Sequence, residues 1–218
     1  MLKVSRDQGI KIFDIKLATN TAGPSPYDNY RTEIFLLGCK KACQGDGCPG
    51  CFNSSTWYAD KAEWSYDPTI LAAYLNEITP NKYITIGGGE PTDQLDNLIV
   101  LCKELKKYGY HIMMYTWRDV VKIRKGYTTK DMTDNNNKYP ISHKKFEELI
   151  KYLDIIVDGE FDATEKLYVE EAGDGFYSSI GSGNQKIWDV PNMDYRYMRD
   201  VKGLKLDSVD NLIYLERK

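Results

Sequence analysis

One short stretch of the chain, from Gly38 to Asn53, has the sequence GCKKACQGDGCPGCFN and constrains the fold more than any other. Within thirteen residues it contains four of the five cysteines, Cys39, Cys43, Cys48 and Cys51. A domain that used cysteine only as a small core residue would scatter it along the chain. Thiolates are soft ligands for zinc and iron–sulfur clusters, and the intervening glycines and proline let the backbone curl so that several sulfurs converge. The stretch therefore predicts a bound inorganic centre.

Length and composition favour a single cytoplasmic domain that spans residues 1–218. A chain of 218 residues can bury roughly 70% of its unfolded surface in one domain and is short for two. The formal charge is −3, from 29 basic and 32 acidic residues without a long block of one sign, which argues against nucleic-acid binding. No apolar run reaches the ~18 residues of a membrane span, and the first residues lack a secretory core. Clustered cysteines in odd number are more typical of reduced, metal-binding thiols than of disulfides.

The hydrophobic pattern predicts strands that alternate with helices. Strands are expected at residues 11–17, 31–37, 82–86, 111–116 and 154–157. Helices are expected to begin after the N-cap Asp67, at Leu95 and at Ser142, and the second ends in a cationic turn followed by Gly109. This alternation requires parallel crossovers, so we expect an α/β fold, an open sheet or a partial barrel, with a mostly parallel sheet. The active site should lie at the carboxyl-terminal edge of the strands.

Five further segments are less regular in sequence. We expect a polar, turn-rich segment at 19–29, a helix followed by an exposed loop at 118–139, and an acidic segment without assigned structure at 161–179. A loop of small residues is expected at 181–185. The tail at 204–215 is predicted to supply two short strands.

The spacing of the cysteines allows two kinds of site. Cys48 and Cys51 form a CxxC pair, which lets both sulfurs face one centre, and Cys39 or Cys43 supplies a third thiolate. Three thiolates on a four-iron cluster leave one iron with an open position, as in a catalytic site. Four thiolates give a closed zinc or iron–sulfur site. The spacing alone leaves both possibilities open.

Five segments in a fixed order resemble one known family. They are GCKKACQGDGCPGCFNSSTW, ITIGGGEP, MMYTW, IIVDGEF and IGSGNQKI, and with the lead-in GPSPYDNYRTEIF they span roughly residues 24–188. Together they are similar to the activating proteins of anaerobic ribonucleoside-triphosphate reductase, which are small radical S-adenosylmethionine (SAM) enzymes. The resemblance implies a single domain with a partial (βα) barrel of the radical SAM type.

The resemblance also implies cofactors and a partner. A [4Fe-4S] cluster on three cysteines would hold SAM at its fourth iron through the amino and carboxylate groups of SAM. An electron donor such as flavodoxin would reduce the cluster, and reductive cleavage of SAM would give a 5′-deoxyadenosyl radical. That radical would take a hydrogen from a glycine of the large subunit of anaerobic (class III) ribonucleotide reductase. No side chain is expected to be catalytic, because the cofactor carries the radical.

The cysteines depart from the CxxxCxxC pattern of that family. Cys39-xxx-Cys43 matches its first half and Cys48-xx-Cys51 its second half, and both cannot hold with three ligands. We favour Cys39, Cys48 and Cys51, because CPGCFN keeps the pair beside an aromatic residue and an asparagine, as in the family. The alternative ligand set is Cys39, Cys43 and Cys51.

The same segments suggest which residues surround SAM. Glycines let the backbone approach a ligand closely, although a tight strand-to-helix turn explains the glycine run equally well. The family contacts the amino group of SAM at this run, so Glu90 or the adjacent backbone is the expected partner. Trp117 and Lys186 stand where the family has glycine and arginine. The residues carried over to the SAM pocket are Asn53, Gly87, Gly88, Gly89, Glu90, Thr116, Asp158 and Asn184.

Two other functions fit parts of the sequence. A 7-carboxy-7-deazaguanine synthase is a similarly compact radical SAM enzyme with an enlarged cysteine gap, but the GSGNQK and MMYTW segments argue against it. A non-enzymatic zinc-binding module with four cysteine ligands is the second alternative. Cys102 lies on an apolar helical stripe and is predicted to pack in the core. His111 and His143 have no sequence neighbours that suggest a base or a metal site.

Overall fold

A six-stranded, mostly parallel sheet organises the chain in the computed structural model, which describes residues 3–4, 8–19, 30–126, 133–166 and 180–192. The strands of the described residues are β1 (Lys3–Val4), β2 (Ile12–Thr19), β3 (Arg31–Leu36), β4 (Ser65–Tyr66), β5 (Tyr83–Gly88), β6 (His111–Thr116), β7 (Ile155–Asp158) and β8 (Lys186–Asp189). The large sheet has the order β2-β3-β5-β6-β7-β8, and β1 pairs with β4 separately. β3, β5, β6 and β7 are parallel, whereas β2 and β8 run antiparallel at the two edges.

Short helices connect the strands. The α-helices in the described part of the chain are α1 (Pro68–Ile78), α2 (Leu95–Lys107), α3 (Val120–Lys125), α4 (Asn135–Lys138) and α5 (His143–Leu149). Single 3-10 turns occur at Ser54–Thr56, Ala59–Lys61, Pro91–Gln94, Ile150–Tyr152, Ala163–Glu165 and Val190–Asn192. An irregular helical turn, Ala42–Asp46, lies inside the cysteine stretch.

The helix termini follow from local sequence chemistry. The Asp67 carboxylate accepts hydrogen bonds from the backbone N–H groups of Thr69 and Ile70, so it caps two of the unpaired donors at the start of α1. Pro68 takes the first helical position, where its missing N–H costs nothing. After the carboxyl end of α2, Gly109 adopts φ +79°, the left-handed conformation that glycine tolerates best. Both predicted termini are confirmed.

The main core lies between one face of the sheet and helices α1, α2 and α5. Alternate residues of the central strands point to this face, because successive side chains of a strand point to opposite sides. The helices contribute stripes with a period of three to four residues. The fully buried residues of this layer include Ile34, Ile84, Ile112 and Ile156 from the sheet and Leu71, Leu75, Leu98, Cys102, Leu105, Phe146 and Leu149 from the helices. Cys102 thus packs in the core, as predicted.

The structure confirms the mixed α/β architecture and its mostly parallel sheet. The sheet is open rather than closed, and none of the described helices is both long and apolar enough to cross a bilayer. The loop expected at 181–185 is confirmed, and it leads into an edge strand, β8, that was not predicted. One expectation was wrong: the asparagine run expected in an exposed loop forms α4, in which Asn136 is buried.

Several expectations concern parts of the chain that lie outside the described residues. These are the turn-rich segment within 20–29, the middle of the 118–139 segment at 127–132, and most of the acidic segment at 167–179. The two short strands expected at 204–215 also lie outside the described residues.

Candidate iron–sulfur site

The carboxyl ends of four parallel strands bring the candidate residues to one edge of the sheet. β3 leads into the cysteine stretch, β5 into the glycine run, β6 into Trp117 and β7 into Gly159. Carboxyl ends of parallel strands share an edge, and loops on that edge commonly carry function. The cysteine stretch, the glycine run and the end of β6 therefore lie where the sequence predicted them.

The turn after β5 packs directly on the turn after β3. The Gly89 N–H donates to the Leu36 carbonyl at 2.9 Å, and the Glu90 N–H donates to the Gly38 carbonyl at 2.7 Å. A Cβ on residue 89 would lie 2.2 Å from the Gly38 oxygen. Gly88 has φ +102°, and a Cβ there would lie 2.5 Å from the backbone nitrogen and oxygen of Leu36. Only glycine fits at these two positions. The glycine run is thus a tight turn that packs against Gly38, the residue directly before Cys39.

The Glu90 side chain points into the protein at the base of this turn. Its carboxylate accepts hydrogen bonds from the Thr92 N–H at 3.0 Å, the Thr92 hydroxyl at 2.6 Å, the Thr116 hydroxyl at 2.8 Å and the Trp117 N–H at 3.0 Å. Burial raises the pKa of Glu90, and the nearby Arg118 guanidinium opposes that rise. The Glu90 carboxylate and the Thr116 hydroxyl, both predicted to contact SAM, therefore bond each other and the adjacent backbone.

Arg118 is a buried residue of the site that the sequence analysis missed. Its guanidinium donates to the Thr92 hydroxyl at 2.8 Å, to Asp93 at 2.7 Å and to the Tyr139 carbonyl, and it lies 4.4 Å from the centre of the Trp117 ring. These contacts join the turn after β5 to the segment that contains α4. The planar guanidinium carries several N–H donors in a fixed geometry, so one arginine can bond several acceptors in such a junction. The sequence signal was an arginine two residues after a predicted strand.

The four clustered thiols differ in their surroundings. Cys39 and Cys48 are buried, Cys51 is half-buried, and Cys43 is exposed, with its thiol donating to the Trp57 carbonyl at 3.2 Å. Burial raises the pKa of Cys39 to about 12 and also raises that of Cys48. As placed, no three His, Cys, Asp or Glu side chains of the described residues are grouped to hold a metal ion. Binding of a metal centre would therefore deprotonate the thiols and draw them together.

Lys41 provides a buried cation within the cysteine stretch. Its Nζ donates to Cys48 Sγ at 3.2 Å and to Glu160 Oε2 at 2.7 Å, and it lies 5.1 Å from the centre of the Trp117 ring. Burial lowers the pKa of Lys41, but the hydrogen bond with Glu160 and the proximity of Cys48 outweigh it, so the pKa is raised overall. The other Glu160 oxygen accepts from Asn135 Nδ2 at 2.8 Å. A positive charge therefore lies beside a thiol.

The segment at 134–139 packs against the cysteine stretch. Lys138 and the Tyr139 hydroxyl both bond the Asp46 carboxylate, and the Tyr139 ring meets the Trp117 ring edge-on at 6.4 Å between centroids. The same apolar cluster contains Cys39 and Ala42. Part of the polar segment at 118–139, which was expected to end in an exposed loop, therefore packs against the cysteine stretch.

Asp158 lies at the end of β7 and is almost completely buried. Its Oδ2 accepts from the backbone N–H of Val120 at 2.8 Å, at the start of α3, while its Oδ1 is buried without a partner among the described residues. Burial raises the pKa of Asp158 to about 7, and the Val120 N–H and the charge of Lys186 oppose the rise. The position expected in the SAM pocket is thus a buried carboxyl group that caps the start of α3.

The loop before β8 is bound to the turn after β7. Asn184 Nδ2 donates to the Glu160 carbonyl at 2.8 Å, and Gln185 Nε2 donates to the Gly159 carbonyl at 3.1 Å. Asn184 Oδ1 accepts from the Ser182 hydroxyl at 2.7 Å. The Asn184 amide, expected to contact SAM, therefore holds the backbone of the residue whose side chain pairs with Lys41.

Asn53 precedes a 3-10 turn next to the last cysteine of the stretch. Its backbone carbonyl accepts from the Thr56 N–H at 2.9 Å and from the Thr56 hydroxyl at 2.7 Å. The neighbouring Phe52 is 64% exposed and meets Phe161 edge-on at 4.9 Å. Asn53 itself is half-buried, and its contacts with Thr56 are those of its backbone carbonyl.

A groove of about 460 Å³ opens beside the cysteine stretch. Its lining includes Cys39, Cys43, Asp93 and Asn97, but none of Thr116, Asp158 and Asn184. The predicted residues therefore share one edge of the sheet without lining this groove together.

The residues present fit an iron–sulfur cluster by their chemistry. Soft thiols carried on a curled, glycine-containing backbone are the usual ligands of such clusters. The buried Lys41 cation offsets part of the negative charge that thiolates bring into a low-dielectric environment. The site thus has both a ligand set and a compensating charge.

Comparison with known proteins agrees with this chemistry. A family described as a 4Fe-4S single cluster domain has a model that matches residues 28–188. The anaerobic ribonucleoside-triphosphate reductase-activating protein of Enterobacteria phage T4 is 26% identical over 168 residues, which cover 72% of this chain and 83% of that protein. The protein of the same name from Vibrio cholerae serotype O1 is 24% identical over 162 residues, covering 72% of this chain and 86% of that protein. These relatives confirm the resemblance found in the sequence.

Proposed function

This chain belongs to the 4Fe-4S single cluster domain family, and on that basis we propose that it is a radical SAM activase for an anaerobic ribonucleotide reductase. The observation that carries the proposal is the cysteine stretch at the carboxyl end of β3, packed on the glycine turn after β5. The names of the two relatives support the choice of partner, the large subunit of the reductase.

Cys39, Cys48 and Cys51 are proposed to hold a [4Fe-4S] cluster. The burial of Cys48 and its hydrogen bond from Lys41 support it over the exposed Cys43, because Lys41 would stabilise the Cys48 thiolate. When bound, the cluster would supply the electron that cleaves SAM, and the resulting 5′-deoxyadenosyl radical would take a hydrogen from a glycine of the reductase.

The protein's own part is to bind and orient SAM. We assign the contact with the amino group of SAM to the backbone of the glycine turn, because the Glu90 carboxylate already accepts four hydrogen bonds. The buried carboxyl group of Asp158 at the end of β7 is proposed as a further part of this pocket. Asn53, Thr116 and Asn184 complete the proposed pocket. Thr116 contributes by bonding Glu90, and Asn184 by bonding the Glu160 carbonyl.

The wider proposal concerns the whole chain. We propose a single radical SAM domain over residues 1–218, in which the open sheet is the partial barrel of that enzyme class. We also propose a cytoplasmic location and reduction by a small electron-transfer protein such as flavodoxin. The closed zinc module and the deazaguanine synthase are the competing functions.

Anaerobic reconstitution with iron and sulfide tests the proposal. The full chain should bind about four irons, as a single cubane cluster requires. Its reduced form should give an electron paramagnetic resonance signal that changes when SAM is added, because SAM would coordinate the cluster. Incubation with SAM and dithionite should release 5′-deoxyadenosine, and added reductase should acquire a glycyl radical signal.

Each alternative has its own result. About one zinc per chain and no iron chromophore would support the closed module. SAM cleavage coupled to turnover of a pterin substrate would support the synthase. SAM cleavage without a radical on the reductase would contradict the partner alone.

A further inference from the structure

The side chain of Lys41 is buried beside Cys48, one of the residues proposed to hold the cluster, with 1% of its surface exposed. Its Nζ lies 3.2 Å from Cys48 Sγ and 2.7 Å from Glu160 Oε2. An ammonium group loses strong hydration when it is buried, so it remains charged there only with close partners. Cys48, Glu160 and the face of the Trp117 ring are those partners.

The adjacent lysine shows that this burial is particular to position 41. The Lys40 side chain is exposed, and the interaction of Lys40 with the site is through its backbone N–H, which donates to Asp93 Oδ2 at 2.6 Å. Both residues lie between the same two cysteines. The chain therefore offers one buried and one exposed lysine in nearly the same sequence context.

Glu160 is held in place from two further directions. Asn135 Nδ2 donates to its Oε1 at 2.8 Å, and Asn184 Nδ2 donates to its backbone carbonyl at 2.8 Å. Glu160 thus cannot easily turn away from Lys41, and the ion pair has a fixed geometry. The positive end of this pair points at the Cys48 sulfur.

A fixed N–H···S bond has a defined electrostatic effect on an iron–sulfur cluster. The reduction potential of such a cluster depends on net charge, on hydrogen bonds to its sulfurs and on exposure to solvent. A cation beside a ligand sulfur stabilises the extra negative charge of the reduced cluster, and low dielectric strengthens the effect. The nearby Glu160 carboxylate acts in the opposite direction.

We propose that Lys41 is a positioning residue that raises the reduction potential of the cluster through its hydrogen bond to Cys48, with Glu160 as the opposing charge. This inference rests on the proposed function, because it requires a cluster with Cys48 among its ligands. The cluster gains one electron from an external reductant on reduction, and Lys41 exchanges neither a proton nor a covalent bond.

The test is a redox titration of the reconstituted full chain, followed by electron paramagnetic resonance. Lys41→Met removes the cation and keeps the aliphatic stem, so the midpoint potential should become more negative. At a fixed applied potential the reduced-to-oxidised ratio should fall about tenfold, equivalent to about 59 mV for one electron. Lys41→Arg keeps the charge and should lie closer to wild type. Glu160→Gln should shift the potential in the positive direction.

Lys40→Met is the matched control, because it removes an exposed ammonium one position away. Its midpoint potential should equal that of the wild type. Equal potentials for wild type and Lys41→Met, or an equal shift in Lys40→Met, would overturn the proposal. If Lys41→Met holds no cluster, Glu160→Gln decides, and an unchanged or more negative potential there overturns the proposal.

SAM cleavage measured on the same samples separates the two ideas. If the midpoint potentials shift with the expected signs but the wild type does not cleave SAM, the role of Lys41 stands and the proposed function is overturned. If the wild type cleaves SAM but all variants have equal midpoint potentials, the proposed function stands and the role of Lys41 is overturned. A wild-type chain that binds no iron overturns both.

Discussion

The hydroxyl of Thr116 donates a hydrogen bond of 2.8 Å to the carboxylate of Glu90. This bond joins the end of β6 to the turn that follows β5, and the N–H of Trp117 makes a second link to the same carboxylate. Because the turn after β5 also packs on Gly38, three strand ends are fixed relative to one another. The thiols are thus carried on a rigid support, as a preorganised site requires.

Glu90→Gln should destabilise the protein by about 1–3 kcal/mol, the usual cost of a buried donor left without an acceptor. Glutamine keeps only one side-chain oxygen acceptor. In one orientation of its amide the NH2 group faces the Trp117 N–H, and in the flipped orientation it faces the donors of Thr92. Urea unfolding of the metal-free protein measures the effect. Glu77→Gln changes an exposed carboxylate and should leave stability within about 0.5 kcal/mol. Equal stability of the two variants would contradict the prediction.

Gly89→Ala should destabilise the protein and impair cluster binding, because the added methyl group would meet the Gly38 carbonyl oxygen at 2.2 Å. Overpacking against backbone costs about 1–3 kcal/mol or more. Gly87→Ala is the matched control two residues away, since its Cβ meets only Tyr115 at 3.8 Å. Iron content after reconstitution, together with urea unfolding, compares them. The prediction fails if both alanine variants behave alike.

Cys48→Ala should lose the cluster, whereas Cys43→Ala should retain about four irons per chain. The reason is the position of each thiol: Cys48 is buried beside Lys41, and Cys43 is exposed and bonded to a backbone carbonyl. Iron and sulfide analysis of both reconstituted variants measures the difference. Retention in Cys48→Ala and loss in Cys43→Ala would establish the alternative ligand set.

Asp158 should make the stability of the metal-free protein depend on pH. Its pKa in the folded state is raised to about 7, above the unfolded value of about 3.9, so its contribution is present below pH ~4 and is lost as the pH rises through about 7. At about 1.4 kcal/mol per pKa unit, the loss reaches about 4 kcal/mol.

Asp158→Asn removes this titration and keeps an acceptor for the Val120 N–H. Its stability relative to wild type should therefore be greater at pH 8 than at pH 5, as measured by urea unfolding at both values. Asp14→Asn, at an exposed position, is the control and should show the same difference from wild type at the two pH values. Parallel pH profiles for wild type and Asp158→Asn would contradict the assignment.

The sequence predicted the parts of the fold that depend on local pattern. The central strands are apolar and β-branched, and the helix stripes of α1 and α2 repeat every three to four residues, so periodicity alone located them. Asp67 and Gly109 marked helix ends through chemistry that needs no tertiary partner. The meeting of the cysteine stretch and the glycine run followed from parallel topology.

The elements that sequence reasoning missed depend on distant contacts. The asparagine run of α4 has low helix propensity, but Asn136 is buried and its side-chain oxygen accepts from the Asp119 N–H. β8 has only four residues and exists by pairing with β7. The burial of Lys41 has no local signal in the sequence, because its ion-pair partner, Glu160, lies 119 positions later. No local pattern contains these pairings.

The amide contacts before β8 set a lower limit on any working fragment of this protein. A piece that stopped at residue 166 would keep every clustered thiol and the glycine turn, yet the carbonyls of Gly159 and Glu160 would lose the side chains of Gln185 and Asn184. Grafting the cysteine stretch alone into another scaffold would omit the same support. A minimal transplantable unit therefore has to extend at least as far as residue 185.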